Sequence, residues 1–375
     1  MTPKRKRKRY SKKQIRFLKK VLLFIKIFLI TYILGSVVIL AGGGILVNKM
    51  KPPAVPSISN RPNTADKNKQ YNISELAYHQ DADGEAALSG DGLIAPEGFT
   101  DNDRKELFYT FLIIGLDGGT NTDTIMVASY DAVNKQANII GIPRDSLVNA
   151  DRAVKKINGA FPQGALNGGG RDGGIEQLKR EIKSIIGIVP DFYVAVDMEA
   201  FVKIVDEVGG VDIEIPFNMK YDDPVQNLHI DIQEGLQHLD GADALRFARY
   251  RKGNNSRLSI SDYQRIENQQ AVIKAVLKCL LKPANILKIP EFISIFNEYV
   301  FTDIKPENML WFASQLNEIN GTEALSTHTM PTTGTSGLPM YYEYLDKYAI
   351  VELVNETLNP YKIDIEAKDL DIIGG

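Results

Sequence analysis

The chain has 375 residues, of which 44% are hydrophobic and 24% are charged. These values are close to the averages of soluble globular domains and exclude a mostly disordered chain. A single cysteine, Cys279, excludes an internal disulfide framework and a multi-cysteine zinc site. The net charge of -3 conceals an asymmetry, because residues 1–20 carry eleven Lys or Arg and no acid, whereas residues 21–375 carry 33 basic against 47 acidic residues.

The amino-terminal region predicts a membrane anchor over residues 21–47. It contains 21 uncharged residues from Ile27 to Val47, which as a helix would span about 31 Å, the thickness of the hydrocarbon layer. A cleaved signal peptide is the alternative, but the stretch exceeds the usual apolar region of such peptides and no A-x-A-like site follows. The positive-inside rule keeps residues 1–20 in the cytosol and places the rest of the chain outside. The basic run is thereby explained without nucleic acid.

Composition then divides the remaining chain. Residues 51–70 contain four prolines and no aromatic residue, which is typical of an extended linker. The acidic, weakly periodic segment from Tyr71 to Arg104 predicts a loosely structured lead-in. The predicted organisation is a cytoplasmic basic tail (1–20), a transmembrane helix (21–47), an extracytoplasmic linker with its lead-in (48–104), a folded domain (105–365) and a short tail (366–375).

The folded domain alternates short apolar runs with helical patterns. The runs LFYTFLIIGL, TIMVASYD, ANIIGI and DFYVAV are rich in β-branched and aromatic residues and predict strands. Helical periodicity is present over residues 175–186, 198–208, 259–282, 304–317 and 345–356. This alternation predicts an α/β fold in which helices flank both faces of a central mixed β-sheet, in α-β-α layers, after one transmembrane helix.

Several common catalytic motifs are missing: GxxxxGK[ST], HExxH and GxSxG do not occur, and there are only four histidines. Acidic residues instead follow predicted strand FLIIGL, as Asp117 and, six residues later, Asp123. Two carboxylates around a small-residue turn suit Mg²⁺, which takes one or two carboxylates together with phosphate oxygens and water. The alternative is that Asp117 makes an Asx turn and Asp123 caps the next element.

Arginines form the second candidate group. Arg144 ends the strand ANIIGI, and Arg249 and Arg251 lie in LRFARYRKGNNS. Residues two apart share one side only in an extended chain, so the pair can serve one ligand if the helix ends between Phe247 and Tyr250. Two guanidinium forks match a pyrophosphate, whereas a solvated cationic face is the simpler alternative.

Residues Asp262, Arg265 and Gln269 stand at i, i+3 and i+7 and therefore share one helix face. Asp262 either pairs with Arg265 at the surface or orients it toward an anion while Gln269 donates a hydrogen bond. The glycine-rich segment 164–174 precedes a helix and can offer amides to phosphate, although its composition favours a flexible turn.

Together these segments resemble the LytR-CpsA-Psr family of membrane-anchored glycopolymer transferases, over about residues 107–362 or two-thirds of the chain. The matching stretches are FLIIGLDGG, TDTIMVAS, IIGIPRDS, KINGAF, DFYVAVDMEAFVKIVDEVGGVDIEIPF, LHIDIQEGLQHLDGADALRFARYR, SDYQRIENQQ and LVNETLNPY.

The resemblance implies transfer of a glycopolymer, such as a teichoic acid or capsular polysaccharide, from a polyprenyl pyrophosphate carrier to peptidoglycan. A phosphodiester forms and polyprenyl phosphate leaves, at the outer face of the cell membrane in an envelope of the Gram-positive type. It further implies that Mg²⁺ is bound by Asp117 and Asp123, and that Arg144, Arg249 and Arg251 clamp the pyrophosphate. The resemblance also implies that Asp262, Arg265 and Gln269 complete the catalytic site, where Arg265 and Gln269 bind substrate as well.

One feature departs from the family pattern. The loop after Asp117 usually contains an arginine, and GGTNT has none. Either one phosphate contact is absent, or another residue such as Arg171 or Arg152 supplies it. Two other functions are possible: a carrier-binding regulator without turnover, which would keep the arginines and lose the metal site, and a hydrolase, which would use the same site with water as the acceptor.

Overall fold

A computed structural model describes residues 51–55, 79–80, 86–87, 95–117, 122–224, 228–254, 258–282, 289–316, 324–336 and 340–373. The predicted transmembrane helix over 21–47, the basic tail and most of the linker lie outside these residues. No helix within the described ranges is long and apolar enough to cross a membrane.

The described part of the domain follows the alternation seen in the sequence. Its strands are β1 (His79–Gln80), β2 (Ala86–Ala87), β3 (Phe108–Leu116), β4 (Thr122–Asp131), β5 (Gln136–Gly141), β6 (Phe192–Asp197), β7 (Val211–Ile215), β8 (Met219–Asp223), β9 (Leu228–Ile232), β10 (Gly235–Leu239), β11 (Val300–Thr302), β12 (Leu325–Thr329), β13 (Thr332–Thr335) and β14 (Glu343–Leu345). Its α-helices are α1 (Ala160–Gly164), α2 (Gly170–Ile186), α3 (Met198–Glu207), α4 (Gly241–Arg249), α5 (Asp262–Leu280), α6 (Ile289–Tyr299), α7 (Pro306–Leu316) and α8 (Lys347–Thr357).

A six-stranded sheet in the order β11-β6-β3-β4-β5-β12 forms the centre. The pairs β6/β3 and β5/β12 are parallel, while β11/β6, β3/β4 and β4/β5 are antiparallel. The sheet is therefore mixed, which confirms the predicted fold class. β3, β4 and β5 pair in sequence order because short connections join antiparallel neighbours.

Helices cover both faces of this sheet. On one face, side chains such as Leu112 and Ile114 pack with Leu178 of α2 and Ile350 of α8 in the largest core. On the other face, Met126, Ala128, Ile139 and Leu325 pack with Ile273 and Leu277 of α5. A strand with apolar residues on both faces requires this arrangement, because each face must be removed from water.

A second, smaller core lies beside the sheet. The antiparallel pairs β7/β10 and β8/β9 pack with α3, α4 and α5 around residues such as Ile213, Phe247 and Val272. These strands were not predicted, although Val211, Ile213 and Ile215 alternate with exposed residues in the period of a half-buried strand. α5 contacts this core through Val272 and the core on the second face of the sheet through Ile273 and Leu277, so it joins these two cores.

Core residues also come from both sides of the predicted 105–365 range. Ala95 and Phe99 precede it, Leu370 and Ile372 follow it, and all four belong to the largest core. The carboxyl-terminal residues are thus part of the packed domain.

The glycine-rich segment is a helical passage and not the flexible turn that its composition favours. Residues Ala165–Gly169 form one π-helical turn between α1 and α2. A Cβ on Gly164 would lie 2.1 Å from the carbonyl oxygen of Gly173, so glycine is needed there for close backbone packing.

Candidate functional site

Three of the predicted site residues meet at one edge of the central sheet. Asp117 directly follows β3, Asp123 is the second residue of β4, and Arg144 follows β5. Because β4 runs antiparallel to both neighbours, its beginning lies beside the ends of β3 and β5. Chain topology thus brings together residues that are distant in sequence.

A β-bulge directs the side chain of Asp123. Gly115 pairs with Thr124 and Leu116 pairs with Thr122, which leaves Asp123 without a partner in the register. Bulges turn side chains out of the regular alternation and are frequent beside active sites. The Asp123 side chain is 49% exposed, and its Oδ1 accepts a hydrogen bond of 3.3 Å from Arg144 Nη1.

Carboxylates surround the guanidinium of Arg144. Besides Asp123, its Nε lies 3.7 Å from Asp262 Oδ1 and 3.9 Å from Asp145 Oδ2. The Nε atom is buried and has no hydrogen-bond partner among the described residues. Several acids therefore hold this arginine in place.

The amino-terminal turn of α5 supplies the next two residues. Ser261 and Gln264 form a capping box that begins the helix, and Arg265 Nη2 lies 2.9 Å from Asp262 Oδ1. Burial lowers the pKa of the Arg265 guanidinium, and the charges of Arg144 and Arg251 act in the same direction, against that of Asp262.

Asp262 thus bridges Arg265 and Arg144. Its Oδ2 and the Nε of Arg265 are both buried without a hydrogen-bond partner within the described ranges.

Arg249 and Arg251 come from the end of α4. The helix ends at Arg249, and Tyr250 adopts φ -59° and ψ 132°, as the two-residue spacing required. Tyr250 is fully buried and donates a hydrogen bond of 2.7 Å from its hydroxyl to the Leu258 carbonyl. The arginines on either side of it both line a cavity at this edge of the sheet.

A cavity of about 960 Å³ connects these residues. Seven of the eight predicted site residues line it, and Arg144 lies behind them, paired with Asp123 and Asp262. Apolar side chains from β3, α3, α4 and α5 form much of the remaining wall, with Ile113, Phe201, Ile204, Leu245, Val272 and Val276, and the charged residues Asp145, Asp197, Asp223 and Lys252 also line it. The cavity therefore combines cationic groups that suit an anion with apolar surface that suits a hydrocarbon chain.

The donors at this site fit a hard cation. Asp117 and Asp123 both line the cavity, and carboxylate oxygens are the ligands that Mg²⁺ prefers. No group of three or more His, Cys, Asp or Glu able to hold a metal ion occurs among the residues that the structure describes. A cation held by these two carboxylates would complete its coordination with phosphate oxygens and water.

The two suggested substitutes for the absent loop arginine lie elsewhere, so that expectation was wrong. Arg152 forms an ion pair with buried Glu181 and donates to the carbonyls of Val154 and Lys156. Arg171 stacks over the ring of Phe301, with Cζ 3.2 Å from its centroid. Neither residue lines the cavity.

Sequence reasoning also missed residues of the cavity wall. Asp145 and Tyr341 both line it, and Lys156 Nζ lies 2.9 Å from Asp145 Oδ1. Tyr341 and Glu343 are two positions apart in an extended segment and so project to one side. That spacing was the available signal, but nothing local relates it to the site residues, which lie between Asp117 and Gln269.

Comparison with known proteins identifies the family of this chain. The LytR_cpsA_psr family model matches residues 64–358, and the chain therefore belongs to this family, which confirms the resemblance. The regulatory protein MsrR of Staphylococcus aureus is 29% identical over 237 residues, 61% of this chain and 65% of MsrR. The polyisoprenyl-teichoic acid--peptidoglycan teichoic acid transferase TagV of Bacillus subtilis is 28% identical over 54% of this chain and 51% of TagV.

Solved structures share the fold. The crystal structure of B. subtilis TagV has a TM-score of 0.54 at 25% identity, over 66% of this chain and 94% of that one. A structure of TagT bound to LI-WTA has a TM-score of 0.53 at 19% identity, over 71% and 94% of the two chains.

Proposed function

We propose that the protein is a membrane-anchored phosphotransferase that moves a glycopolymer of the teichoic acid or capsule type from a polyprenyl pyrophosphate carrier to peptidoglycan, with formation of a phosphodiester. The observation that carries the proposal is the cavity itself. Its lining combines apolar side chains with Arg249, Arg251 and Arg265, and Arg144 pairs with Asp262 of the same lining. A polyprenyl pyrophosphate has the same division into a hydrocarbon chain and a charged group.

The arginines neutralise the charge of the pyrophosphate and of the transition state. Phosphoryl transfer from an activated phosphate depends mainly on positioning and electrostatic stabilisation, so no histidine or cysteine is required. Asp262 orients Arg265 and Arg144, since its Oδ1 lies 2.9 Å and 3.7 Å from their nitrogens. Gln269, two turns along α5, lines the same cavity and would donate a hydrogen bond to the ligand.

Asp117 and Asp123 would hold Mg²⁺. When bound, the cation supplies charge neutralisation to phosphate oxygens. The exposed carboxylate of Asp123 is accessible to such an ion, and its contact with Arg144 links the metal site to the anion site.

The cellular location belongs to the same proposal. Residues 21–47 anchor the chain with its amino terminus in the cytosol, and the domain acts outside the cell membrane, where the carrier and peptidoglycan meet. The name of TagV, a transferase acting on polyisoprenyl-linked teichoic acid and peptidoglycan, supports both substrates.

A carrier-binding regulator is the second candidate, supported by the name of MsrR. It requires the arginines and the apolar wall but no metal site. Both aspartates at the cavity favour turnover. A lipid pyrophosphate hydrolase differs only in using water as the acceptor.

The test is a transfer assay with the full-length chain in detergent micelles, a polyprenyl-pyrophosphate-linked glycan, peptidoglycan fragments and Mg²⁺. Mass spectrometry should detect the glycan joined to peptidoglycan by a phosphodiester. Arg249→Lys should lose most of this product, because an ammonium cannot reproduce the two-pronged contact.

Arg246→Lys is the matched control. Arg246 lies on the same helix but pairs with Asp243 at the surface. A parent chain that binds the lipid without product would identify the regulator, and release of free glycan phosphate would identify the hydrolase.

A further inference from the structure

A tyrosine and a buried glutamate stand together at the wall of the cavity. Tyr341 lines the cavity with its side chain 45% exposed, and Glu343, the first residue of β14, is only 2% exposed. The hydroxyl of Tyr341 donates a hydrogen bond to Oε1 of Glu343. The tyrosine therefore stands between the glutamate and the cavity.

The backbone holds Glu343 next to the arginine site. Its N–H donates to the Asp145 carbonyl at 3.0 Å, and its carbonyl accepts from the Leu147 N–H at 2.9 Å. Asp145 directly follows Arg144. Glu343 and its partner Tyr341 therefore have a fixed position relative to the proposed pyrophosphate site.

Glu343 keeps the capacity to accept a proton. Its Oε2 is buried and contacts no hydrogen-bond donor among the described residues. The nearby hydroxyl of Tyr263 is hydrogen-bonded to Thr332 instead. A purely structural carboxylate would ordinarily have both oxygens satisfied when buried.

Tyr341 is suited to pass a proton on. Partial burial raises its pKa, as do the hydrogen bond to Glu343 and the negative charges of Glu343, Asp145 and Asp262. The phenol thus stays protonated at neutral pH. Since its proton is directed to Glu343, a lone pair of its oxygen remains to accept from a hydroxyl in the cavity.

We propose that Tyr341 and Glu343 form a proton relay that activates the acceptor sugar hydroxyl, an inference that rests on the proposed transferase function. The hydroxyl oxygen attacks the glycan-bearing phosphorus, and the bond from that phosphorus to the oxygen of the polyprenyl phosphate breaks. The leaving polyprenyl phosphate takes the electron pair. The hydroxyl proton passes to the Tyr341 oxygen while the phenolic proton passes to Glu343 Oε1. After product release, the proton on Glu343 returns to solvent through the exposed tyrosine.

The experiment compares Tyr341→Phe, Glu343→Gln and the double variant in the transfer assay with full-length protein. Each should lower kcat about 100-fold, the scale of general base catalysis, with KM for peptidoglycan fragments within about threefold of the parent. The double variant should lose no more than either single variant, because the two groups act as a unit. Tyr342→Phe is the control, since the hydroxyl of Tyr342 contacts the Lys155 backbone N–H at 3.2 Å and does not line the cavity.

Thermal unfolding of each variant accompanies the kinetics. Tyr341→Phe keeps the partly exposed ring, so it tests the relay even if Glu343→Gln fails to fold. A kcat within about threefold of the parent in Tyr341→Phe would overturn the relay, as would a change confined to KM or losses that multiply in the double variant. An inactive parent that binds the carrier would instead overturn the transferase function, and the relay with it.

Discussion

Replacing Asp262 by Asn tests whether the arginine site rests on a buried ion pair. Asp262 and Arg265 are 14% and 5% exposed, and their charged atoms are 2.9 Å apart. At an effective dielectric constant of about 20, this distance corresponds to a gross attraction of about 6 kcal/mol. Desolvation offsets much of it, but removing one partner leaves the other charge buried at a cost of about 3–5 kcal/mol.

The expected loss is near the lower end of that range. The amide oxygen of Asn can still accept a hydrogen bond from Arg265, which retains about 1 kcal/mol. Arg144 is also less affected, because Asp123 and Asp145 remain beside it. We therefore expect Asp262→Asn to lower the free energy of unfolding by about 3 kcal/mol.

The chain contains a matched control for this change. Asp243 and Arg246 form the same i, i+3 pair near the beginning of α4, at 2.5 Å, but their side chains are 44% and 40% exposed. Exposed pairs of this kind contribute about 1 kcal/mol or less. Asp243→Asn should accordingly cost less than about 1 kcal/mol.

Urea denaturation followed by circular dichroism measures both variants, with comparison made at equal m-values. Added salt should weaken the Asp243 pair more than the Asp262 pair, because buried charges are screened less. Equal losses in the two variants would refute the reasoning that burial makes the Asp262 pair structurally important.

Three further predictions concern the site and the core. Arg251→Lys should unfold like the parent, because the side chain is exposed. Its transfer rate should fall about 10³-fold if the guanidinium stabilises the transition state. A transfer rate equal to that of the parent would contradict this role. Asp123→Asn should weaken the dependence of turnover on Mg²⁺. The free energy of unfolding should change by no more than about 1 kcal/mol, since the Asp123 side chain in the ion pair with Arg144 is half exposed. An unchanged Mg²⁺ titration of turnover would indicate that Asp123 serves only the turn. Burial raises the pKa of Tyr361 from 10.0 to about 12. The native state therefore keeps the phenolic proton at a pH where the unfolded chain has lost it, so the free energy of unfolding should fall between about pH 10 and pH 12, by up to about 3 kcal/mol. Tyr361→Phe should make this fall shallower, as measured by urea midpoints across that pH range, and an unaltered slope would assign it to other groups.

Local sequence determined the elements that carry most of the site. The apolar run ending at Leu116 predicts a strand with Asp117 at its end, and β3 ends there. The spacing of Arg249 and Arg251 predicted the end of α4, and the seven-residue spacing of Asp262 and Gln269 predicted their common helix face, which lines the cavity. These features depend on backbone periodicity and on the breaks supplied by glycine and asparagine, which neighbouring residues specify.

Tertiary structure decided what those elements enclose. The register of β3 against β4 places a bulge at Asp123, and the packing of α5 against both cores brings Asp262 to Arg144. Tyr341 enters the site only because its segment pairs with the loop after β5.

The same limit applies to Arg152, which the sequence suggested as one possible substitute for the absent loop arginine and which the structure pairs with Glu181. A charged residue takes the partner that the folded chain brings within a few ångströms. That distance is set by strand order, register and helix packing, whereas local sequence determines only the direction in which each side chain leaves its own backbone.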